Sequence, residues 1–241
     1  MSINLPIEYL TGEKFSNSLR VDIRSSDPLI DRIEWLARRA DGAAVIHFGF
    51  ADHIGLIEAK RAQGRWLHAR LMERATDCVG LDLNAEAVDH IKAANPAMEC
   101  YRFDLYNDDL PASVRDRKWD FIVLGEILEH VDDPVGFLKL INAQFAGCCD
   151  KLVVTVPNAL SAENILLAFK DIEYINSDHR FWFSPFTLGK VITRAGLEIE
   201  DIILVASNLA GLKGVKRLLS RFRPSMGDTL IATIKLDELA S

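Results

Sequence analysis

No apolar run in these 241 residues approaches the ~20 that a membrane span requires. The first segment, MSINLPIEYLTGEK, has neither the basic start nor the apolar core of a secretion signal. Cysteine is scarce: Cys78, Cys100, Cys148 and Cys149, two of them adjacent and none at the spacing of a metal motif. They read as reduced, partly buried thiols of a cytoplasmic protein. Repeats, low-complexity tracts and long linkers are missing. The chain is therefore expected to form a single domain over 1–241, with a helical cap at 1–40 and a core at 41–236. Positive charge is also short. A net charge of −7 argues against broad nucleic-acid binding, which needs a basic surface. Lys213–Arg223, KGVKRLLSRFR, is the local exception, with five basic residues and no acid. It fits a solvated amphipathic helix within 212–223, or a peripheral foothold on an anionic membrane or glycolipid. Nothing in the sequence specifies an oligomeric state.

What is present is an alternation of apolar strands and amphipathic helices. AAVIHF (43–48), DCVGLDL (77–83), MECYRFD (98–104), KWDFIVL (118–124) and KLVVTVP (151–157) have the continuous apolar character of strands buried on both faces. LEIEDIILVAS (197–207) and DTLIATIKL (228–236) add two terminal strands. Between them, Ser26-Asp27-Pro28 predicts a helix start, with Leu29, Ile30, Ile33, Leu36 and Ala37 at helical spacing and a stop near Asp41-Gly42. A helix is expected around 56–75. Asn84 is a candidate N-cap, and Asp133-Pro134 and Ser184-Pro185 open two further helices, the second closed by Gly196. The last two strands have only a loop and one short basic helix between them, so an antiparallel pair at one edge closes the sheet most simply. The expected fold is α/β: a doubly wound, Rossmann-like, mainly parallel seven-stranded sheet with an antiparallel terminal strand and helices on both faces.

In such sheets the ligand sits at the carboxyl ends of the strands. The first strand runs into VIHFGFADHIG and lacks G-x-G-x-x-G; Gly49 alone stands where close backbone approach is clearly needed, with Ala51 and His53 in place of further glycines. Asp82, at the tip of the second strand, is placed to accept both ribose hydroxyls of a nucleoside. Asp104 repeats that position one strand further out and could accept from an adenine amine. Each acid alone is equally explained as a turn or cap. The fourth strand passes through FIVLGEILEHVDDP (121–134). Placed on a helix at ~100° per residue, Glu126, Glu129 and His130 share one side, and Ile127, Leu128 and Val131 the other. Two carboxylates and an imidazole there could serve as a general base or hold a metal that acidifies a hydroxyl. Fifty residues on, INSDHRFWFSPFTL supplies His179, with Phe181, Trp182 and Phe183 as an aromatic wall or, for at least two of the three, core.

Gly49, Asp82, Asp104, WDFIVLGEILEHVDDP and VVTVPN, in that order over about 40–236, resemble the class I S-adenosylmethionine-dependent methyltransferases. The resemblance implies that the loop of Gly49, Phe50 and Ala51 holds the methionine part of S-adenosylmethionine. It gives Asp82 to the ribose, Asp104 to adenine, Leu83 and Leu105 to the walls of the adenine pocket, and Gly125 to a backbone contact near the amino group. Two departures are the reduced glycine motif and a Gly49-to-Asp82 separation longer than the usual ~20 residues. The excess, DHIGLIEAKRAQGRWLH, is an insertion that could cover the pocket; its His53 and His68 read as structural. The E-x-x-E-H and later D-H pattern resembles that of small-RNA 3′-end 2′-O-methyltransferases, and its first part that of ubiquinone-pathway O-methyltransferases. That resemblance implies Glu126, Glu129, His130 and His179 as ligands of one divalent ion, completed by an acceptor's vicinal hydroxyls. Two oxygens and two nitrogens suit Mn, Fe, Co or Zn, whereas Mg prefers oxygen alone.

The function expected is an O-methyltransferase acting on a small-molecule or glycan acceptor. RNA terminal-ribose methylation is the nearest rival, opposed by the acidic balance and the lack of a recognisable RNA-binding module. A nicotinamide dehydrogenase is opposed by the missing glycine fingerprint. A cofactor-binding partner subunit without activity is the non-enzymatic alternative, supported by the reduced glycines and opposed by the intact Glu/His face.

Overall fold

The computed structural model describes residues 3–25 and 27–237, and all their side chains except those at 216, 217, 220 and 221. Its elements begin with α1 (Ile7–Thr11), α2 (Arg32–Arg39), β1 (Ala44–Phe48), α3 (Ile54–Ala62), α4 (Leu67–Met72), β2 (Asp77–Asp82), α5 (Ala85–Ala94), β3 (Cys100–Arg102) and α6 (Ala112–Arg115). They continue with β4 (Phe121–Gly125), α7 (Pro134–Phe145), β5 (Lys151–Pro157), α8 (Ala162–Ala168), α9 (Pro185–Arg194), β6 (Glu198–Val205), α10 (Gly214–Phe222) and β7 (Thr229–Lys235). The strands form one sheet of seven in the order β3-β2-β1-β4-β5-β7-β6. β1 pairs in parallel with β2 and β4, and β2 with β3, whereas β6 and β7 are antiparallel. With helices around it, this is the mainly parallel α/β sheet read from the strand pattern.

The chain gathers into two compact units. The first comprises Ile33–Gly125, Leu140–Val153 and the residues from Leu236 onward. Its central strands β1 and β4 are mostly apolar because neither face meets water: Val45, Ile46, Ile122, Val123 and Leu124 are all fully buried. The strand order reverses between β1 and β4, which puts a topological switch point at their carboxyl ends. Asn84 caps α5 as expected, its side-chain oxygen accepting from the Ala87 N–H at 3.1 Å.

The segment 52–68 does not form the single helix expected around 56–75. It folds as α3 and the start of α4, broken where Gly64 enters the left-handed region at φ 63°. Ile57 and Trp66 from this segment pack with Phe50, Ile91 and Met98 in a buried cluster, so the insertion builds core. His68 is wholly buried on α4, its ring 4.7 Å from Phe50 and its Nδ1 3.3 Å from Nδ1 of His47. At that separation one imidazole donates and the other accepts, which requires a neutral ring only of the acceptor. Burial pushes the His68 pKa down to about 3. His53, exposed, flanks the start of α3 without a capping hydrogen bond.

The second unit comprises the residues up to Arg32, Glu126–Lys139 and Val154–Lys235. Its α9 begins with a reciprocal cap between Ser184 and Thr187, with Pro185 in the first turn. Leu5 and Leu10 lie over Gly189 of that helix, where a Cβ would come within 2.6 Å of Leu5. This contact, with the Lys190 ammonium donating to the Tyr9 carbonyl at 2.7 Å, seats α1. Phe15, 85% exposed, packs on nothing comparable.

The helix expected from Ser26-Asp27-Pro28 starts later, at Arg32; Ser26 itself lies outside the described residues. Ile30 and Asp31 are instead extended, Asp31 bridging to Ala206. The Arg32 N–H donates to the Ala206 carbonyl at 2.7 Å, and the Ala206 N–H to that of Ile30 at 2.9 Å. A β-type pairing with a residue so distant in sequence overrides the local helix signal.

The buried imidazole sets an acid limit on stability. Above pH 6.5, the ordinary histidine value, neither the folded nor the unfolded chain protonates His68, and its contribution is complete. Below that, the unfolded chain takes up a proton that the folded one refuses until about pH 3, so stability falls with pH through this window. Thermal melting followed by circular dichroism should drop by roughly 5–10 °C between neutral and mildly acidic buffer. The drop should be much smaller in His68→Phe.

Candidate active site

In the first unit, the loop after β1 is shaped by a glycine. Gly49 turns at φ 71°, and its N–H donates to the Leu81 carbonyl at 2.7 Å. The Phe50 ring is buried in the core and lies over Gly80, where a Cβ would sit 2.6 Å from it. Phe50 can therefore offer a ligand only its backbone. The next residue is held by Asp82, whose Oδ2 accepts from the Ala51 N–H at 2.9 Å while Oδ1 accepts from Asn84 N–H at 2.9 Å. One buried carboxylate thus ties the loop to the end of β2. Each oxygen has two lone pairs, so one on each is left for a ligand hydroxyl. Burial pushes the Asp82 pKa up, against the opposing pull of the Asn84 and Ala51 N–H groups.

Leu83 beside it is exposed, whereas Leu105 is buried and its carbonyl accepts from the Gln144 amide at 2.9 Å. Asp104 is committed to its own turn. Its oxygens accept from the Asn107 amide at 2.8 Å and the Tyr106 N–H at 3.0 Å, with Arg102 at 3.8 Å. The Asn107 hydrogen bond, above all, holds its pKa below the ordinary value. Gly125 ends β4 at the switch-point side of the sheet.

The second unit begins its central segment at Glu126. No helix follows Gly125. Glu126 adopts φ 57°, a left-handed backbone that costs a non-glycine residue about 1–2 kcal/mol, and only Leu128–His130 form a single 3-10 turn. The expected sharing of one helical face by Glu126, Glu129 and His130 therefore does not arise. The Glu126 carboxylate accepts from the Thr155 hydroxyl at 2.9 Å and faces the Arg32 guanidinium at 3.4 Å. Its N–H donates to the Thr155 carbonyl at 3.0 Å. Arg32 and Thr155 were not singled out from sequence; their separation along the chain leaves no local signal.

Glu129, His130 and His179 do come together, with one ligand atom from each within 4.8 Å of the others. Glu129 has 0% exposure, and neither of its oxygens has a hydrogen-bond partner among the described residues. His179 Nε2 lies 3.9 Å from Glu129 Oε1, and its Nδ1 is buried without a partner. The two imidazoles meet edge to face with centroids 4.6 Å apart. Arg180 fixes this arrangement: its N–H donates to the Glu129 carbonyl at 2.8 Å, and its guanidinium to the His130 carbonyl. Burial, then the neighbouring charge of Glu126, raises the Glu129 pKa far above the carboxylate range. Burial, then the neighbouring charge of His130, lowers that of His179. Of the aromatic trio, only Phe183 is buried; Trp182 is half-buried, its N–H donating to Glu173, and Phe181 is exposed.

A family model described as a methyltransferase domain matches residues 24–202. The chain belongs to that family. It is an S-adenosylmethionine-dependent methyltransferase by family and fold. Solved structures similar to it include a putative Haloferax volcanii methyltransferase in complex with the Trm112 activator. That match has 17% identity and a TM-score of 0.54, covering 86% of this chain and 89% of that one. An S-adenosylmethionine-dependent methyltransferase from Mesorhizobium loti is similar at 16% identity and TM-score 0.51, over 84% and 95% of the two chains. The small-RNA methyltransferase HEN1 is similar at 16% identity and TM-score 0.56; the match takes in 94% of this chain but 27% of that longer one. No curated protein matches significantly. No helix among the described residues is long and apolar enough to cross a membrane.

For the methyltransferase, Asp82→Ala should weaken S-adenosylhomocysteine binding by about tenfold or more in calorimetry, since it removes a ligand acceptor and releases the Ala51 loop. Asp104→Ala, whose carboxylate serves its own turn, should cost less than about threefold. Equal losses would contradict the distinction.

Proposed function

We propose that the methyltransferase transfers the methyl group to a hydroxyl oxygen of a small-molecule or carbohydrate-like acceptor, with Glu129, His130 and His179 handling the acceptor and holding one divalent cation. The observation that carries this reading is the buried Glu129 carboxylate with two unpartnered oxygens, next to the buried and unpartnered Nδ1 of His179. Uncompensated, such a group costs several kcal/mol. Open lone pairs on one carboxylate and two imidazoles are what a cation site needs, and mixed O/N donors favour Mn, Fe, Co or Zn over Mg.

On the cofactor side, Asp82 accepts from the ribose hydroxyls, and the Gly49–Ala51 backbone and Gly125 receive the amino-acid end of S-adenosylmethionine. Leu83 and Leu105 flank the adenine, with Asp104 beside them. The methyl moves from sulfur to the acceptor oxygen, leaving S-adenosylhomocysteine, while the acceptor's proton must leave. Only the ionised form of Glu129 can accept that proton or hold a cation, and a cation beside it would favour that form. A bound cation would supply Lewis acidity that lowers the pKa of the acceptor hydroxyl. Glu126, anchored to Arg32 and Thr155, orients the start of the turn and stands as a second carboxylate beside it.

RNA terminal-ribose methylation is the second reading. A cation on three protein ligands suits a vicinal diol, and HEN1 is by its name a small-RNA methyltransferase. The net charge of −7 weighs against an RNA acceptor.

Cobalt titration should give a d–d absorption spectrum at one equivalent in the wild type, lost in His130→Ala and in His179→Ala. S-adenosylhomocysteine affinity should stay within about twofold. With a vicinal-diol acceptor, both variants should lose metal-stimulated turnover. Full activity after exhaustive chelation would count against the cation, and a variant retaining the cobalt spectrum would remove that histidine from the site.

A further inference from the structure

Methyl transfer leaves one surface of the second unit unexplained. On α10, Val215, Leu218 and Phe222 follow at i, i+3 and i+7 and share a stripe of roughly 60° on the helix. They are 59%, 56% and 67% exposed, so this apolar stripe is turned outward. A groove of about 540 Å³ runs along it, lined by Leu166, Lys170, Gly211, Lys213 and Val215. Its other wall is the end of α8 and the chain just beyond, which exposes Phe169, Ile172 and Tyr174 at 84%, 50% and 75%. Two separate segments thus expose six apolar side chains, and each contributes to the lining of one groove, Leu166 and Lys170 from the first and Lys213 and Val215 from the second. Large clustered apolar exposure is rare on a surface that meets only water.

The charges select the occupant. Lys170 and Lys213 are exposed at the groove, and the sequence from Lys213 to Arg223 has five basic residues and no acid. The side chains of Lys216, Arg217 and Arg221 within it lie outside the described ones. The facing segment also carries Asp171 and Glu173, the latter accepting from the Trp182 N–H at 2.9 Å. A second copy of the chain on this surface would set lysine against lysine. An anionic lipid surface answers both features, burying aromatic and aliphatic anchors to the acyl boundary while lysine stems reach back to the phosphates.

We propose that α10 and the Phe169–Tyr174 segment together seat this methyltransferase on the surface of an anionic phospholipid bilayer. Neither the metal site nor the identity of the methyl acceptor enters this proposal. The test is co-sedimentation of the full chain with vesicles of phosphatidylcholine alone or mixed with phosphatidylglycerol, at low and high salt. The protein should pellet with the anionic vesicles and lose about tenfold or more of its partitioning in high salt or on neutral vesicles. Lys170→Glu with Lys213→Glu should reduce partitioning by about twentyfold or more. Phe169→Ser with Phe222→Ser should reduce it comparably, identifying the apolar anchors. All four positions are exposed, so melting temperature and S-adenosylhomocysteine affinity should be unchanged; if either pair alters them, Lys170→Gln with Lys213→Gln takes its place, with a smaller loss in the same direction. Wild-type protein that stays in the supernatant with anionic vesicles overturns the proposal, as does equal binding to neutral ones. So does a concentration-dependent dimer that the phenylalanine substitutions dissolve while vesicle binding is absent.

Discussion

A carboxylate with no exposed surface and, among the described residues, no hydrogen bond to either oxygen is costly to bury, and the organisation around Glu129 follows from that. A single 3-10 turn points Glu129 inward beside Leu128, and Arg180 then binds the carbonyls of Glu129 and His130. That pair of bonds carries His179 from a remote loop into contact with both. With no counter-charge in hydrogen-bond reach, the acid can lower its energy in only two ways. It can hold a proton, which is why its pKa rises, or it can share its lone pairs with a cation.

Glu126 has the opposite character. It accepts a left-handed backbone and is compensated by a hydroxyl and a guanidinium, so its charge is spoken for. Two acids three residues apart in one motif therefore occupy different settings, one anchored by a hydroxyl and a guanidinium, the other bare and buried.

The first unit solves a related problem with few glycines. A dinucleotide-type loop usually relies on several to admit a ligand closely. Here Gly49 makes the left-handed turn, Gly80 makes room for the Phe50 ring, and Asp82 draws the Ala51 N–H to itself. The glycine that the loop requires has moved to the neighbouring strand, because the large side chain after Gly49 is stored in the core. The same core takes in the inserted segment through Ile57 and Trp66, with His68 desolvated beneath them.

The sequence by itself determined the alternation of elements, the mainly parallel sheet with an antiparallel end, the Asn84 and Ser184 caps and the presence of acids at strand tips. These depend on apolar periodicity and on side chains acting within a few residues, which are local properties of the chain. It also put Glu126, Glu129, His130 and His179 in one motif set, through a resemblance; the last three come together in the structure. What only the tertiary structure decided were the things fixed by distant partners. Ala206 pairing holds Ile30 and Asp31 extended and delays α2; Arg32 and Thr155 anchor the Glu126 carboxylate; Asp82 ties down the Ala51 N–H while keeping lone pairs free. A hydrogen bond between residues far apart in sequence leaves no periodic trace, yet each is strong enough, once water is excluded, to outweigh a local preference of about 1 kcal/mol.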